Sequence, residues 1–461
     1  MIAQELLAEV LQRSLKKGGD FADIFLEESQ GLTISCEDGK VERIISGIDQ
    51  GLGLRIIQNF QTIYGCTNDL SKASLLELAE TLSTAAGKAE RGDLTINLTR
   101  SDPLPLPVLI LPSDVSLERK VQVVKAAEEA ARKFDQRIRQ VRVTYRDSLR
   151  RITIANSEGT FLRFDKIGTL LVVQAVAADS RGIQTGLESV GGTLGFELFE
   201  ESPPELVAEK AARRALRMLE ARSAPAGRMP VVLSSEAGGT MIHEAVGHGL
   251  EADLAQDGLS VYSRRLGEQI ASSLITVIDD ATLPRKRGSF PADDEGIPAQ
   301  RTVLIEKGIL KSYLYDRLTA MKDGVRSTGN GRRESYQHKP IPRMTNTFIE
   351  KGQANPEDIV ASTKNGLYVQ SLSGGSVNPI TGVFNFTCRE AYLIENGRKT
   401  SPVRGATLVG SCLDIIQGID AVGYDLDFGP GICGKGQSAE VTAGQPTVRI
   451  RGINVGGTRG R

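Results

Sequence analysis

Thr240-Met-Ile-His-Glu-Ala-Val-Gly-His-Gly-Leu-Glu-Ala-Asp253 gathers His243, Glu244 and His248 into one short run of a chain that has only three histidines. Two neutral imidazoles flanking a carboxylate on an expected helix form the donor set of a zinc hydrolase: two nitrogen ligands and a base beside an activated water. In the familiar metalloprotease motif the histidines stand four residues apart, whereas these stand five apart. At roughly 100° per residue, four steps leave two side chains about 40° apart and five leave them about 140° apart. We therefore expect one wide turn with i→i+5 hydrogen bonding between His243 and His248, eased by Gly247. An ordinary buried helix, its histidines satisfied by backbone partners, is the competing reading of these residues. Gly238, Gly239, Gly247 and Gly249 would each cost a short helix about 1 kcal/mol relative to alanine. Close packing or a metal must compensate.

Two histidines hold a metal weakly, and a catalytic zinc normally has three protein ligands. Read from the residues alone, His338 and Cys433 compete for the third place. His338 lies in a polar loop. Cys433 lies in Gly429-Pro-Gly-Ile-Cys-Gly-Lys-Gly436, where glycines let the backbone approach another element and Lys435 favours a thiolate. A carboxylate roughly twenty residues beyond His248 is a further pattern, but no one residue stands out for it.

Around this motif, 461 residues exceed one compact core and suggest two or three domains. The 49 glycines and the absence of tryptophan point to many turns and close backbone approaches rather than to a helical bundle. A formal net charge of −1 removes any global electrostatic case for nucleic acid or an acidic membrane. Cys36, Cys66, Cys388, Cys412 and Cys433 are an odd, widely spaced set without a CxxC pair, which argues against a disulfide framework or a structural zinc ribbon. No run approaches the ~18 apolar residues of a membrane span. Residues 1–17 read as an amphipathic helix without the layout of a secretory signal, so the expected compartment is the cytoplasm.

In chain order, residues 22–67 alternate apolar and polar positions in five short segments, an antiparallel meander. Ser71 caps a helix through about Lys88, with Leu75, Leu76, Leu78 and Leu82 on its buried side. Residues 103–112 are a proline-rich extended linker, and a second helix spans 116–134. Strands follow at 137–145, 152–155, 160–164 and 170–177, with Asn156-Ser-Glu-Gly159 as a hairpin turn. Residues 132–151 are locally basic, which the alternation assigns to a solvated strand face rather than to nucleic acid. A glycine-rich passage, 182–195, precedes a helix over 204–220. Residues 224–228 mark a boundary by composition. Residues 230–234 form a strand feeding the motif helix, with Ser234 or Ser235 as its cap. The remainder is strand-rich, with hairpins at 302–310 and 392–398 and a loop over 328–343. The predicted fold class is α+β in two domains: 1–225, an antiparallel sheet with helices, and 226–461, a strand-rich domain carrying the metal-binding helix.

Four stretches together carry a resemblance: His243 to Asp253, Ser327-Thr-Gly-Asn-Gly-Arg-Arg-Glu-Ser-Tyr336, Pro342-Arg-Met-Thr-Asn-Thr347 and Asp427-Phe-Gly-Pro-Gly-Ile-Cys-Gly-Lys-Gly-Gln437. The chain resembles the TldD/PmbA family of bacterial metalloproteases, through essentially all of its C-terminal half and by organisation before that. Within the family the TldD branch keeps the His-Glu…His motif and the PmbA (TldE) branch lacks it; this chain has it. The resemblance implies that Cys433 is the third zinc ligand beside His243 and His248. A thiolate ligand donates more density to Zn²⁺ than imidazole, so Glu244 is expected to matter more as the general base, taking a proton from water and returning it to the leaving amine. The resemblance also implies unfolded or leader-bearing peptide substrates, maturation of a peptide antibiotic, turnover of an antitoxin, and dimerisation with a second copy or a PmbA/TldE-type paralogue. Peptide could bind by strand addition. The arginines and tyrosine of 332–336 are candidates for stabilising an oxyanion. The alternative class is a non-enzymatic regulator, since family members have been labelled modulators of DNA gyrase. Neutral charge and the lack of a nucleic-acid motif argue against direct action on DNA.

Overall fold

Apolar–polar alternation builds strands considerably longer than the segments read from the sequence. In the computed structural model, which describes residues 2–87, 94–101, 103 and 106–457, the five segments of 22–67 merge into three strands, Phe21–Glu37, Lys40–Gln58 and Gln61–Thr67. The expected breaks vanish because Gly31 stands opposite Gly47 and the ladder continues through both. Likewise 137–177 forms two long strands, Ile138–Asn156 and Thr160–Asp179. Their turn is the expected one: the Asn156 side-chain oxygen accepts from the N–H of Glu158 and of Thr160, each at 3.0 Å. The glycine-rich passage is a strand as well, Gly182–Gly192. A side chain at Gly186 would collide with the Ala211 carbonyl of the helix lying over it, so the glycine is there for helix–sheet packing.

These strands form one seven-stranded sheet in which Phe21–Glu37 and Ile138–Asn156 pair antiparallel at the centre. Two helices, Gln4–Ser14 and Lys72–Ala86, bury Leu7, Val10, Leu11, Leu75 and Leu82 against one part of it. Leu117–Phe134 and Pro204–Glu220 cover another with Val124, Ala127, Ala208, Ala211 and Leu219. Ser71 and Ser116 cap as expected, accepting from the N–H of Ser74 and of Arg119 at 3.3 Å. Lys88 and part of 103–112 lie outside the described residues; Leu109 and Ile110 donate their N–H groups to the Glu197 carboxylate at 3.3 and 3.0 Å. Within the basic run, Arg142, Arg150 and Arg151 pair across the strands with Glu37, Glu27 and Glu28.

From Arg222 onward two large sheets form beside a two-stranded pair, Gly331–Arg332 with Ile341–Pro342. One has eight strands, including Gly227–Leu233, Asn365–Val377, Val383–Glu395 and Val448–Gly456. The other has six, ending in Asn346–Ile349, Ser438–Gln445 and Asp427–Gly434, the last an edge strand. Both predicted hairpins are present; Asn396 and Gly397 take φ of 52° and 73°, the positive values that a tight Asn-Gly turn requires. The fold is α+β. The largest core lies between these two sheets, and Met241, Ile242, Ala245 and Val246 of the motif are inside it, beside Val231, Val369 and Val441. Among the described residues no helix is long and apolar enough to cross a membrane.

Candidate active site

Strand Gly227–Leu233 delivers the chain to the site, and Gly238 and Gly239, at φ of 72° and 69°, turn it. Gly239 lies so close to the backbone of Gly444 that no side chain fits. Neither expected cap residue caps: Ser234 Oγ instead donates to the Gln370 carbonyl at 2.9 Å. One α-turn, Thr240–Ile242, passes into a π-turn, His243–Gly247, and then a 3₁₀ turn, His248–Leu250. The His248 N–H bonds to the His243 carbonyl, the i→i+5 bond that the spacing demanded. The imidazoles consequently converge, with ring centroids 5.1 Å apart and planes at 85°. Close packing accounts for the other glycines. A methyl at Gly247 would overlap the Met344 sulfur, and one at Gly249 would meet Tyr262, whose hydroxyl donates to the Ala245 carbonyl at 2.6 Å.

Cys433 reaches the same point from Asp427–Gly434, brought in by the approach of Gly429 to the backbone of Gly238. One donor atom each from His243, His248 and Cys433 lies within 4.8 Å of the others, and all three side chains are buried. Cys433 Sγ is 3.3 Å from His248 Nε2, while Nδ1 of the same ring faces Glu251 Oε2 at 3.1 Å. That carboxylate fixes the tautomer and leaves Nε2 for the cluster. Glu251, which sequence reasoning missed, is fully buried, with Lys435 Nζ at 3.1 Å and Arg343 Nε at 3.6 Å. Burial alone would raise its carboxyl, but Lys435, His248 and Arg343 outweigh burial and hold it at about 2. Its signal was in the motif itself, a carboxylate three residues after His248, within reach on the same turn.

Burial also opposes ionisation of Cys433, yet hydrogen bonds from His243 and His248 and their charge bring the thiol down to about 5. Two imidazole nitrogens and a thiolate converging on one point are donors for a tetrahedral metal such as zinc, with a position to spare. Glu244 is half-buried, and burial pushes its carboxyl above the usual range despite the neighbouring imidazoles. It lines, with His243, a cleft of about 780 Å³. Residues 427–432 of the edge strand form one wall, and residues 370–375, just beyond the pairing of 367–369 with 231–233, form another.

His338 is not in this group. Its Nδ1 is 3.0 Å from Ser335 Oγ, and it lines a separate cavity of about 570 Å³. The 332–336 segment is likewise elsewhere, which corrects its candidacy for the oxyanion. Arg332 and Arg333 line the second cavity; Arg332 donates to the Met344 and Glu440 carbonyls at 2.5 and 2.7 Å, and the Tyr336 hydroxyl faces Asp49 at 3.3 Å. The segment read as a loop contains a short strand pair, Gly331–Arg332 with Ile341–Pro342, and is held by buried guanidinium bonds to backbone oxygens.

Profiles of the PmbA/TldA metallopeptidase family match three successive segments: domain 1 at 22–86, the central domain at 110–219 and the C-terminal domain at 226–457. The chain belongs to this PmbA/TldD family of metallopeptidases. A metalloprotease TldD homolog of Haemophilus influenzae is 38% identical over 452 residues, covering 95% of this chain and 93% of that protein. A metalloprotease of Methanocaldococcus jannaschii is 36% identical over 437 residues, 94% and 96% of the two chains. A protein of Saccharolobus solfataricus named a zinc metalloprotease TldD homolog is 26% identical over 451 residues, 97% and 99% of the two chains. The PmbA/TldD fold is shared with TldE of Thermococcus kodakarensis, TM-score 0.77 at 19% identity over 98% of this chain and 100% of that one. It is shared too with a Thermotoga maritima protein called a candidate modulator of a DNA gyrase, TM-score 0.79 at 22% identity over 95% and 96%.

Proposed function

We propose that this PmbA/TldD metallopeptidase is a zinc-dependent protease of the TldD kind, with His243, His248 and Cys433 as metal ligands and Glu244 as general base. The observation that carries the reading is the convergence of three buried donors, one of which, His243, lines a cleft together with the half-buried Glu244. Zinc, when bound, supplies Lewis acidity that polarises a peptide carbonyl and acidifies water. Glu244, its proton affinity raised by burial, accepts a proton at its carboxylate and returns it to the leaving amine. Glu251 keeps His248 in one tautomer, and Lys435 and Arg343 keep Glu251 charged.

Substrate lies extended in the cleft, its backbone pairing with the open edge at 427–432 or with 370–375. Pairing of this kind reads main chain, so it favours unfolded or leader-type peptides over folded ones and tolerates many sequences. Among the described residues, 40–51 pair only with Phe21–Glu37, and they expose Ile44, Ile45 and Ile48, the last 71% exposed, which supports a dimer with a second copy or a PmbA/TldE-type paralogue. Five free cysteines suit the reducing cytoplasm. A purely regulatory role leaves the buried histidine–cysteine group without a task.

Metal analysis combined with hydrolysis of a disordered peptide tests the proposal. The expected result is about one zinc per chain, activity lost on chelation and restored by zinc, and markedly reduced zinc in Cys433→Ala. Full zinc occupancy in Cys433→Ala would remove that residue from the site, and chelator-insensitive hydrolysis would overturn the metal mechanism.

A further inference from the structure

The cleft carries a guanidinium that the proposed hydrolysis does not use. Along the ladder between Asn365–Val377 and Val383–Glu395, Ser371 stands opposite Glu390 and Leu372 opposite Cys388, so Arg389 has no partner across that ladder. The register slips again on either side of it, between Val369 and Ser371 and between Leu372 and Gly374. Bulges of this sort re-aim a side chain and are frequent beside active sites. Gln370, Ser373 and Arg389, the residues left without an opposite number, all line the cleft that holds His243 and Glu244.

The other arginines of the cleft are already engaged, whereas Lys210, which also lines it, is solvent-exposed. Arg214 bonds to Glu188 at 2.5 Å and to Glu390 at 2.8 Å, Arg217 takes the second Glu390 oxygen at 3.2 Å, and Arg213 stacks on Phe134. Among the described residues the Arg389 guanidinium makes no hydrogen bond or ion pair, although its side chain is only partly exposed. Burial, and then the neighbouring Arg214, lower its affinity for its proton, and Glu188 only partly offsets them, so the cation is under-compensated within the chain. A planar fork of donors facing an open cleft is matched by a carboxylate, which it can take in bidentate fashion.

We propose that Arg389 is a specificity-determining residue that binds a carboxylate of the extended substrate, from either an acidic side chain or the peptide's own C-terminus. The assignment rests on the cleft being the peptide-binding site. Its consequence is that a surface reading mainly backbone acquires one charged anchor, giving a preference for acidic peptides or fixing the register of the chain end.

Equilibrium binding separates these cases, using three kinds of short fluorescent peptide of Ser, Gly, Ala and Gln: one amidated and neutral, an amidated series with a single Glu placed in turn at each position, and one whose only charge is a free C-terminal carboxylate. Wild-type protein is expected to bind the second or the third about 10- to 100-fold more tightly than the first, the scale of a charge-assisted hydrogen-bonded pair. Whichever peptide gains identifies the source of the carboxylate. Arg389→Met should reduce the preference to within about twofold, and Arg389→Lys should retain part of it. Equal binding of all three peptides by wild-type protein, or an undiminished preference in a folded Arg389→Met, overturns the assignment. Hydrolysis is scored separately: preference without cleavage supports Arg389 and counts against the peptidase, whereas cleavage without preference counts against Arg389 alone.

Discussion

In the seven-stranded sheet, Phe21–Glu37 pairs with Lys40–Gln58 on one side and with Ile138–Asn156 on the other, and only one register shift interrupts the two ladders. Around the His243–His248–Cys433 cluster, by contrast, no helix or strand between 234 and 300 is longer than five residues. Buried side chains there do what ladders do elsewhere. Asp279 accepts from Asn330 Nδ2 at 2.8 Å, from Thr345 N–H at 2.9 Å and from the hydroxyls of Thr345 and Thr347 at 2.7 and 2.6 Å. Arg343 donates to the carbonyls of Cys433 at 2.7 Å and Gln437 at 2.6 Å, holding the strand that carries Cys433 in place. A long ladder is redundant, since each residue's bonds are backed by those of its neighbours. The irregular region has only short ladders in reserve, a consequence of bringing Cys433 from a distant part of the chain to the His243–His248 turn.

The largest expected effect therefore belongs to the irregular region. Asp279→Ala removes the acceptor from four buried hydrogen bonds and should lower stability by about 3–5 kcal/mol, read by urea unfolding. A loss below about 1 kcal/mol would show that the region has the redundancy denied to it here. Next comes Glu244→Gln, which should leave zinc content and unfolding unchanged while lowering peptide hydrolysis roughly 10²-fold, equivalent to about 2.7 kcal/mol. Near-wild-type turnover by the zinc-replete variant would sink the general-base role but not the metal site.

Two glycines sharpen the contrast further. Gly247→Ala drives a methyl into the Met344 sulfur and should cost about 1–3 kcal/mol; combined with Met344→Ala it should cost less than the sum of the two single changes. Additive losses would mean that the strain lies in the π-turn itself. Gly47→Ala, in the long ladder, meets nothing within 4 Å and has an ordinary backbone, so it should raise stability by about 0.4–1 kcal/mol. A clear decrease at Gly47 would erase the distinction between the regions.

The same contrast explains what the sequence makes legible. Local signals suffice for helix starts at Ser71, Ser116 and Pro204, for the Asn156 and Asn396 turns, and for the wide turn, where the angle between residues five apart leaves no other way to converge the rings. Continuity of strands is hidden, because Gly31 and Gly47 look like breaks until they are seen facing each other. Gly186 looks like loop until a helix lies on it. The Ser234 hydroxyl is diverted to Gln370, a partner more than a hundred residues away, which no capping rule anticipates. Within the site, His243, Glu244 and His248 are visible as one motif, while Cys433 is open to choice until the family resemblance is added. Arg389 leaves no trace in the sequence, since a bulge is a relation between two strands.

The bond between Cys433 and His248 spans 185 residues of chain. At the usual pace of translation, about 5–20 residues per second, roughly 10–40 s separate the synthesis of these two side chains. Throughout that interval the nascent polypeptide carries the histidine turn without the strand that supplies the thiolate. A site that needs Cys433 beside His248 therefore cannot assemble before the chain has been made through residue 433.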